Sequence, residues 1–156
     1  NPPGEGWNAR AEALLFAAAR ADHVAHLIKP ALARGDWVIC DRFVDSSRAY
    51  QGAASGLGDE TIQSLHTIGS EGLRPDLTLL IEVDEQRVAQ RLAERDGGQS
   101  DAIGGRNLDY HRAVAEAFRD IAARDPEDFA VIDGNGEPEI VHSAIMSRVL
   151  RLLEQE

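Results

Sequence analysis

Apolar residues in this chain form short, nearly continuous runs that alternate with longer stretches at helical spacing. The runs cover residues 37–40, 77–83 and 129–132, and each has the length and composition of a buried strand. Amphipathic stretches separate them, and no hairpin turn sequence joins one run directly to the next. Strands that alternate with helices predict an α/β fold with a parallel sheet and flanking helices.

Capping and breaking residues set the predicted helix boundaries. We expect Asn8 to cap a helix that runs to about residue 29, where Pro30 kinks it and Gly35 ends its continuation. The remaining helices are expected at 46–54, from an Asp59 cap to about 68, from an Asp84 cap to about 95, from an Asn107 cap to about 123, and at 137–153.

Composition narrows the class of protein further. A length of 156 residues suits one domain, predicted to span residues 1–156. The net charge of −11 argues against sequence-independent binding of DNA or RNA. A few clustered arginines can still bind a small anionic nucleotide. No apolar run approaches a membrane span, so no membrane partner is expected, and a single cysteine, Cys40, fits a reducing cytoplasm.

Two pairs of residues are candidates for a ligand site. Phe16 and Arg20 lie four positions apart, which places them on one helix face. Asp41 and Arg42 follow the run 37–40, at a strand's carboxyl end, where open α/β sheets bind ligands. A ring, a fork of donors and a second arginine suit a planar base that carries a phosphate. Read singly, Phe16 could belong to the core, Arg20 could be solvated, and Asp41 with Arg42 could form a surface ion pair.

The stretch LLFAAARADHVAHLIKPALARGDWVICDRFVDSSRAYQG, residues 14–52, resembles the central portion of bacterial thymidylate kinases. Residues 74–84, RPDLTLLIEVD, resemble the next strand of that family. The resemblance implies a P-loop kinase-like fold of the nucleoside-monophosphate kinase group. It also implies an enzyme that transfers the γ-phosphoryl group of ATP to dTMP with Mg²⁺, in dTTP synthesis, and that forms a homodimer.

The same resemblance implies a substrate-binding region at about 8–70. In it Phe16 would stack on thymine, Arg20 would face O4 of the base, and Arg42 would hold the phosphate of dTMP. The other implied positions are Asp41 near the phosphates and, indirectly, the metal, Ser47 at the base edge, Tyr50 against the deoxyribose, and Gln51 close by. Arginine carries only donors, so Arg20 would favour the carbonyl of thymine over the amino group of cytosine.

The sequence departs from the family pattern at the phosphate-binding loop. The pattern G-x-x-x-x-G-K-S/T is absent, as is the strand that bears it, which is central in the family's sheet. Losing a central strand would leave backbone edges unpaired. Since the chain also opens at Asn1 and enters a helix almost at once, we expect the natural protein to extend N-terminally. The chain as given is then expected to bind ATP poorly and to have little kinase activity.

A second departure lies in the expected lid, at about 96–106. Family members often carry Asp-Arg-x-Glu there, whereas residues 101–104 read Asp-Ala-Ile-Gly. Arg95 and Arg106 flank this loop, and they are either candidates to neutralise charge on the transferring phosphoryl group or solvated residues at helix ends. Arg106 thereby joins Asp41 and Arg42 as a candidate catalytic residue.

Two alternative functions stay open at the level of the sequence. The protein could be a kinase for another nucleoside monophosphate, in which case Arg20 would be the residue that discriminates between bases. It could also be a non-catalytic nucleotide-binding module that keeps the fold without the phosphate-binding loop.

Overall fold

The computed structural model of the protein describes residues 6–85, 87, 88 and 108–154. These residues form two compact units. The first unit combines the chain up to Arg74 with Leu108–Ile121, and the second combines the stretch that begins at Pro75 with the chain from Ala122 onward. The predicted single domain over 1–156 stays a prediction.

A long, irregular helix opens the first unit. It consists of α1 (Ala9–His23), a π-helical turn (Val24–Ile28) and α2 (Lys29–Ala33). Asn8 caps it as predicted, and its Oδ1 accepts a hydrogen bond from the backbone N–H of Ala11 at 3.0 Å. Pro30 lacks an N–H and crowds the carbonyl four positions earlier, so the wider π turn before it lets the helix continue. Gly35, at φ 79°, ends the helix as predicted.

The predicted strand at 37–40 is wrong. Trp37 is 62% exposed and Ile39 is 96% exposed, and neither residue belongs to a strand. A strand needs a neighbour for its backbone N–H and C=O groups, and within the described residues no strand pairs with this run. Apolar composition alone therefore does not decide the structure of this segment.

A second helical segment follows and replaces the single helix predicted at 46–54. It consists of α3 (Val44–Ser47) and a π-helical stretch (Arg48–Ala54), and α4 (Asp59–Ser70) comes after it. Gly56 and Gly58 both have positive φ and form the turn before α4, as predicted. Gly58, and not the predicted Asp59, occupies the cap position, because Asp59 directs its carboxylate to Arg48 instead.

A small apolar core holds these helices together. The buried members come one each from α1, α3 and α4, and they are Ala13, Val44 and Ile62. Phe43, Leu57 and Leu65 pack against them. This core fixes α1 beside residues 43–54, and these two stretches carry most of the predicted site residues.

The second unit contains a parallel pair of strands, as predicted for 77–83 and 129–132. β1 (Thr78–Glu82) and β2 (Phe129–Asp133) pair with Leu80 opposite Val131. Gly134, directly after β2, comes so close to β1 that a Cβ at this position would stand 2.7 Å from Cγ2 of Ile81. Only glycine therefore fits this strand end without a shift of its neighbours.

Two helices precede and follow β2. They are α5 (Leu108–Arg124), which ends before Asp125 and Pro126 as predicted, and α6 (Pro138–Leu153). Three predicted features lie outside the described residues. They are the part of the helix from Asp84 that was expected beyond Val88, the cap at Asn107 and the lid at 96–106. Among the helices that the structure describes, none is long and apolar enough to cross a membrane.

Candidate active site

The guanidinium of Arg20 is held by Phe43, directly before α3, and by Ser47, the last residue of α3. Its Nη2 donates to Oγ of Ser47 at 2.7 Å and to the carbonyl oxygen of Phe43 at 3.3 Å. Its Cζ also lies 5.6 Å from the centroid of the Phe43 ring. Burial lowers the pKa of Arg20, and the charge of Asp45 opposes that shift. Arg20 is therefore an oriented, partly buried group and not the solvated arginine of the alternative interpretation.

Phe16 lies one turn before Arg20 on α1, as the spacing predicts. Its side chain is 45% exposed, so it is not part of the buried core. An exposed ring on the same helix face as an oriented guanidinium offers a stacking surface one turn from a set of donors. The predicted pairing of Phe16 with Arg20 on one helix face thus agrees with the structure.

Arg42 has an unusual backbone conformation, with φ at 65° in the left-handed region. The Sγ of Cys40 donates to the carbonyl oxygen of Arg42 at 3.4 Å. Desolvation raises the pKa of Cys40, and the charge of Asp41 adds to the shift, which favours the protonated thiol as this donor. Strain of this kind is typical of functional positions, although strain alone assigns no role.

The side chain of Arg42 lies over an aromatic ring. Its Cζ is 5.3 Å from the centroid of Tyr50. Asp41 and Arg42 are both exposed, and in the described part of the chain no ion pair involves either of them. The surface ion pair of the alternative interpretation is thus not formed. The charged fork of Arg42 instead remains accessible to an anionic ligand.

Tyr50 is in turn supported by two aromatic residues of α5. The rings of Tyr50 and Phe118 meet edge-on with centroids 6.2 Å apart. The Tyr110 ring lies 6.3 Å away, and its hydroxyl donates to the carbonyl oxygen of Tyr50 at 3.4 Å. Tyr110 and Phe118 have no local pattern in the sequence that marks them as part of a site, because the contact between Tyr110 and Tyr50 spans 60 positions.

Gln51 is buried and points toward α1. Its Nε2 donates to Oε2 of Glu12 at 3.4 Å, and Glu12 lies one turn before Phe16. The structure thus brings Gln51 close to the face of α1 that carries Phe16 and Arg20. It gives the Gln51 amide a partner within the protein, so its predicted place near a ligand stays a prediction.

Next to these residues lies a closed ring of hydrogen bonds and ion pairs, which we call the Arg48 ring. Arg48 binds Asp59 through two bonds, Nε to Oδ1 at 2.7 Å and Nη2 to Oδ2 at 3.0 Å, and Asp45 through Nη1 at 3.0 Å. Asp45 also accepts from Arg74, at 3.3 Å. Gln63 closes the ring, because its Oε1 accepts from Arg74 at 2.6 Å and its Nε2 donates to Asp59 at 3.2 Å.

The members of the Arg48 ring are not recognisable as a group in the sequence. Asp45 and Arg48 stand three positions apart, which is a usable helical pairing signal. That signal is common on solvated helices, however, and it does not predict burial. In the structure both residues are nearly inaccessible, at 5% and 4% exposure.

The side chains that could ligate a metal can be compared with what the implied Mg²⁺ requires. In the part of the chain that the structure describes, no group of three or more His, Cys, Asp or Glu side chains could hold a metal ion. Mg²⁺ often keeps several waters and binds through one or two carboxylates together with substrate phosphates. The exposed carboxylate of Asp41, beside Arg42, fits that indirect role. The lid candidates Arg95 and Arg106 lie outside the described residues.

Comparison with known proteins gives one consistent result. A family model described as thymidylate kinase matches residues 4–145. A thymidylate kinase of Rhizorhabdus wittichii is 52% identical over 147 residues, which cover 94% of this chain and 71% of that protein. A thymidylate kinase of Rhodopseudomonas palustris is 48% identical over 148 residues, covering 94% of this chain and 64% of the relative. The chain thus spans only part of the length of these relatives.

A solved structure is similar in fold as well. The crystal structure of thymidylate kinase from Ehrlichia chaffeensis matches with a TM-score of 0.71 and 27% sequence identity. The match covers 96% of this chain and 70% of that one. The predicted P-loop kinase-like α/β architecture agrees with this similarity.

Proposed function

The chain belongs to the thymidylate kinase family, and on that premise we propose that its protein phosphorylates dTMP to dTDP with ATP as co-substrate. The observation that carries the proposal is the juxtaposition of an exposed ring and an oriented guanidinium on α1, Phe16 and Arg20. Such a pair suits a base with a carbonyl at its edge. The product would supply dTTP synthesis.

The base would be read by the remaining donors of Arg20. Both N–H groups of Nη2 can be used in the bonds to Ser47 and Phe43, so Nη1 is the group that would address O4 of thymine. Cytosine carries an amino group at the equivalent position. A donor of Arg20 would then face another donor, and no hydrogen bond would form. Ser47 then acts at the base edge by orienting Arg20, while Phe16 stacks on the base.

The sugar and phosphate would lie toward Tyr50 and Arg42. Arg42 offers a planar fork that matches two phosphate oxygens, and the Tyr50 ring holds that fork in place. Tyr50 would pack against the deoxyribose and disfavour a 2′-hydroxyl. Asp41 would hold Mg²⁺ through water, and the ion supplies charge neutralisation between the phosphates.

Catalysis in this proposal rests on positioning and charge neutralisation. Phosphoryl transfer from ATP to dTMP is a direct in-line displacement that needs no protein nucleophile, so no covalent phosphoenzyme is expected. Arg106 and Arg95 would contribute charge from the lid. The working unit is proposed to be a homodimer in the cytoplasm, with Gln51 close to the bound nucleotide.

Steady-state kinetics of the intact protein test the proposal. ATP and Mg²⁺ are supplied with dTMP, dUMP, dCMP or dGMP, and diphosphate formation is followed for each. We expect dTMP to have the highest kcat/KM. A preference for a different monophosphate would identify another kinase of the same group. Nucleotide binding without phosphoryl transfer in the intact protein would identify a non-catalytic module.

A further inference from the structure

The Arg48 ring is charged, has a buried centre at Arg48 and Asp45, and is built from three helical segments and a loop. Asp45 lies on α3, Arg48 begins the π-helical stretch, and Asp59 and Gln63 lie in the first turns of α4. Arg74 follows α4 in the chain. The two arginines and two aspartates balance in formal charge, so the ring as a whole is neutral.

Both hydrogen-bond acceptors of Arg20 sit on the short stretch that this ring fixes. Phe43 comes directly before α3, and Ser47 comes directly before Arg48. Asp45, between them, belongs to the ring and also acts electrostatically on Arg20. The position of the two acceptors, and hence the direction of the Arg20 fork, is tied to α4 through Arg48.

A second contact from α4 supports the same stretch. The ring of His66 meets the ring of Phe43 edge-on at 5.5 Å between centroids. His66 is itself fixed by a 2.7 Å hydrogen bond between Nε2 and the carbonyl oxygen of Leu73. α4 therefore braces Phe43 through an aromatic contact, and it braces the end of α3 at Ser47 through the Arg48 ring.

Stability alone is a weak reason for such an arrangement. A buried ion pair recovers its desolvation cost only with excellent geometry, and well-packed apolar residues often stabilise as much or more. What apolar residues cannot supply is direction. Three directed bonds from one planar guanidinium to two carboxylates fix the backbone on which Ser47 stands.

We infer that Arg48 is a positioning residue for base recognition, which acts by holding the two acceptors of Arg20 in place. The inference rests on the proposed function, since it assumes that Arg20 reads the base. Arg48 touches neither base nor phosphate in this scheme. Its loss would thus alter selectivity among monophosphates while leaving the use of ATP intact.

The test compares Arg48→Met, Arg48→Lys and Asp59→Asn with the parent in the intact protein. The measured quantity is the ratio of kcat/KM for dTMP to that for dCMP, with KM for ATP determined in parallel. We expect the ratio to fall by about tenfold in Arg48→Met, corresponding to the loss of one well-directed contact to a charged group. Arg48→Lys keeps the charge without the fork and should lie between Arg48→Met and the parent. KM for ATP should stay unchanged.

Asp59→Asn keeps the test decisive if Arg48→Met does not fold. In Arg48→Met two carboxylates, those of Asp45 and Asp59, lose the Arg48 guanidinium at once. Asp59→Asn changes a single side chain that is 32% exposed, so this variant should fold more readily. Arg34→Met is the matched control, because it removes an exposed ion pair with Asp36 in the same unit and should leave the ratio unchanged.

Two outcomes separate this inference from the proposed function. A parent protein that does not phosphorylate dTMP overturns the proposed function and the inference with it. A parent that phosphorylates dTMP, together with folded ring variants that keep the parent's selectivity ratio, overturns the inference alone, even where their melting temperatures fall.

Discussion

Nη2 of Arg20 donates a 2.7 Å hydrogen bond to Oγ of Ser47, which lies 27 positions further along the chain. The bond joins α1 to the end of α3. It orients the guanidinium of Arg20, a residue that the sequence identifies only from its spacing to Phe16. Ser47 is only 4% exposed, so this bond is shielded from competing water.

Ser47→Ala should therefore weaken dTMP recognition although serine is a neutral side chain. A hydrogen bond to a charged group contributes about 1.5–3 kcal/mol, so we expect KM for dTMP to rise by about tenfold or more. Ser46→Ala is the control, because Ser46 is the neighbouring serine and has no comparable bond to Arg20 in the described structure. Equal kinetics for the two variants in steady-state assays would contradict the role assigned to Ser47.

Phe16→Ala should weaken binding of dTMP far more than binding of ATP. The ring is 45% exposed, so its removal should change the free energy of unfolding little, while a stacking surface for the base is lost. Calorimetric titration of the intact protein with each nucleotide measures both affinities. Leu15→Ala, at a neighbouring position with 50% exposure, serves as the control. Equal weakening of dTMP and ATP by Phe16→Ala would remove the stacking assignment.

Two substitutions at Arg42 distinguish the role of its side chain in binding from the steric cost of its backbone conformation. Arg42→Ala and Arg42→Gly both remove the proposed phosphate ligand and should both cripple dTMP turnover. At φ 65°, however, glycine is free of the steric cost that alanine keeps, so Arg42→Gly should be the more stable by about 1 kcal/mol. Thermal melting and steady-state kinetics on the same samples check this. Near-normal turnover in either variant would exclude Arg42 from phosphate binding.

His66 should make the stability of the protein fall in mild acid. Burial lowers the pKa of His66, and the nearby charges of Arg74 and Arg20 add to the effect, while the bond to Leu73 and the charge of Asp45 oppose it. Below pH 6.5, the ordinary pKa of histidine, the unfolded chain takes up a proton that the folded protein does not. The unfolded state then binds more protons, so stability is retained above this pH and decreases below it.

Melting curves between about pH 7 and about pH 5.5 measure this slope. We expect His66→Gln to flatten the decrease relative to the parent protein. His23→Gln, on an exposed part of α1, should not change it. A parent and a His66→Gln variant with parallel pH profiles would show that His66 titrates alike in the folded and unfolded states.

Gly134→Ala should destabilise the parallel strand pair. The new Cβ would stand 2.7 Å from Cγ2 of Ile81 and 2.9 Å from the carbonyl oxygen of Glu82, so strand or side chain must move. Overpacking of this kind typically costs about 1–3 kcal/mol of unfolding free energy. Gly136→Ala is a matched control, because its nearest contact would be an ordinary 3.5 Å. Denaturant titration should separate the two variants clearly.

The features that the sequence predicts well depend on local physical chemistry. The cap at Asn8 and the end of the helix at Gly35 need only a side chain or a φ angle close by in the chain. The strand pair was predictable because both runs are strongly apolar and a helix separates them. The run 37–40 has the same composition, but a strand also needs a neighbour, and no strand within the described residues pairs with this run.

The parts of the site that could not be predicted depend on contacts between distant residues. Arg48 meets Asp59 across 11 positions, and Asp45 meets Arg74 across 29. Neither contact has a periodic signature, because each is set by how α3 and α4 pack. From the sequence, Arg48 and Arg74 would both be taken for ordinary solvated arginines. Only the structure shows that Arg48 is buried.

Tyr50 stands between the first turn of α5 and the guanidinium of Arg42. A displacement at Tyr110 would thus need to cross only one intervening side chain to reach the anion-facing charge. Loss of the Tyr110 ring would therefore be expected to loosen the Tyr50 ring and, with it, the support of the Arg42 guanidinium.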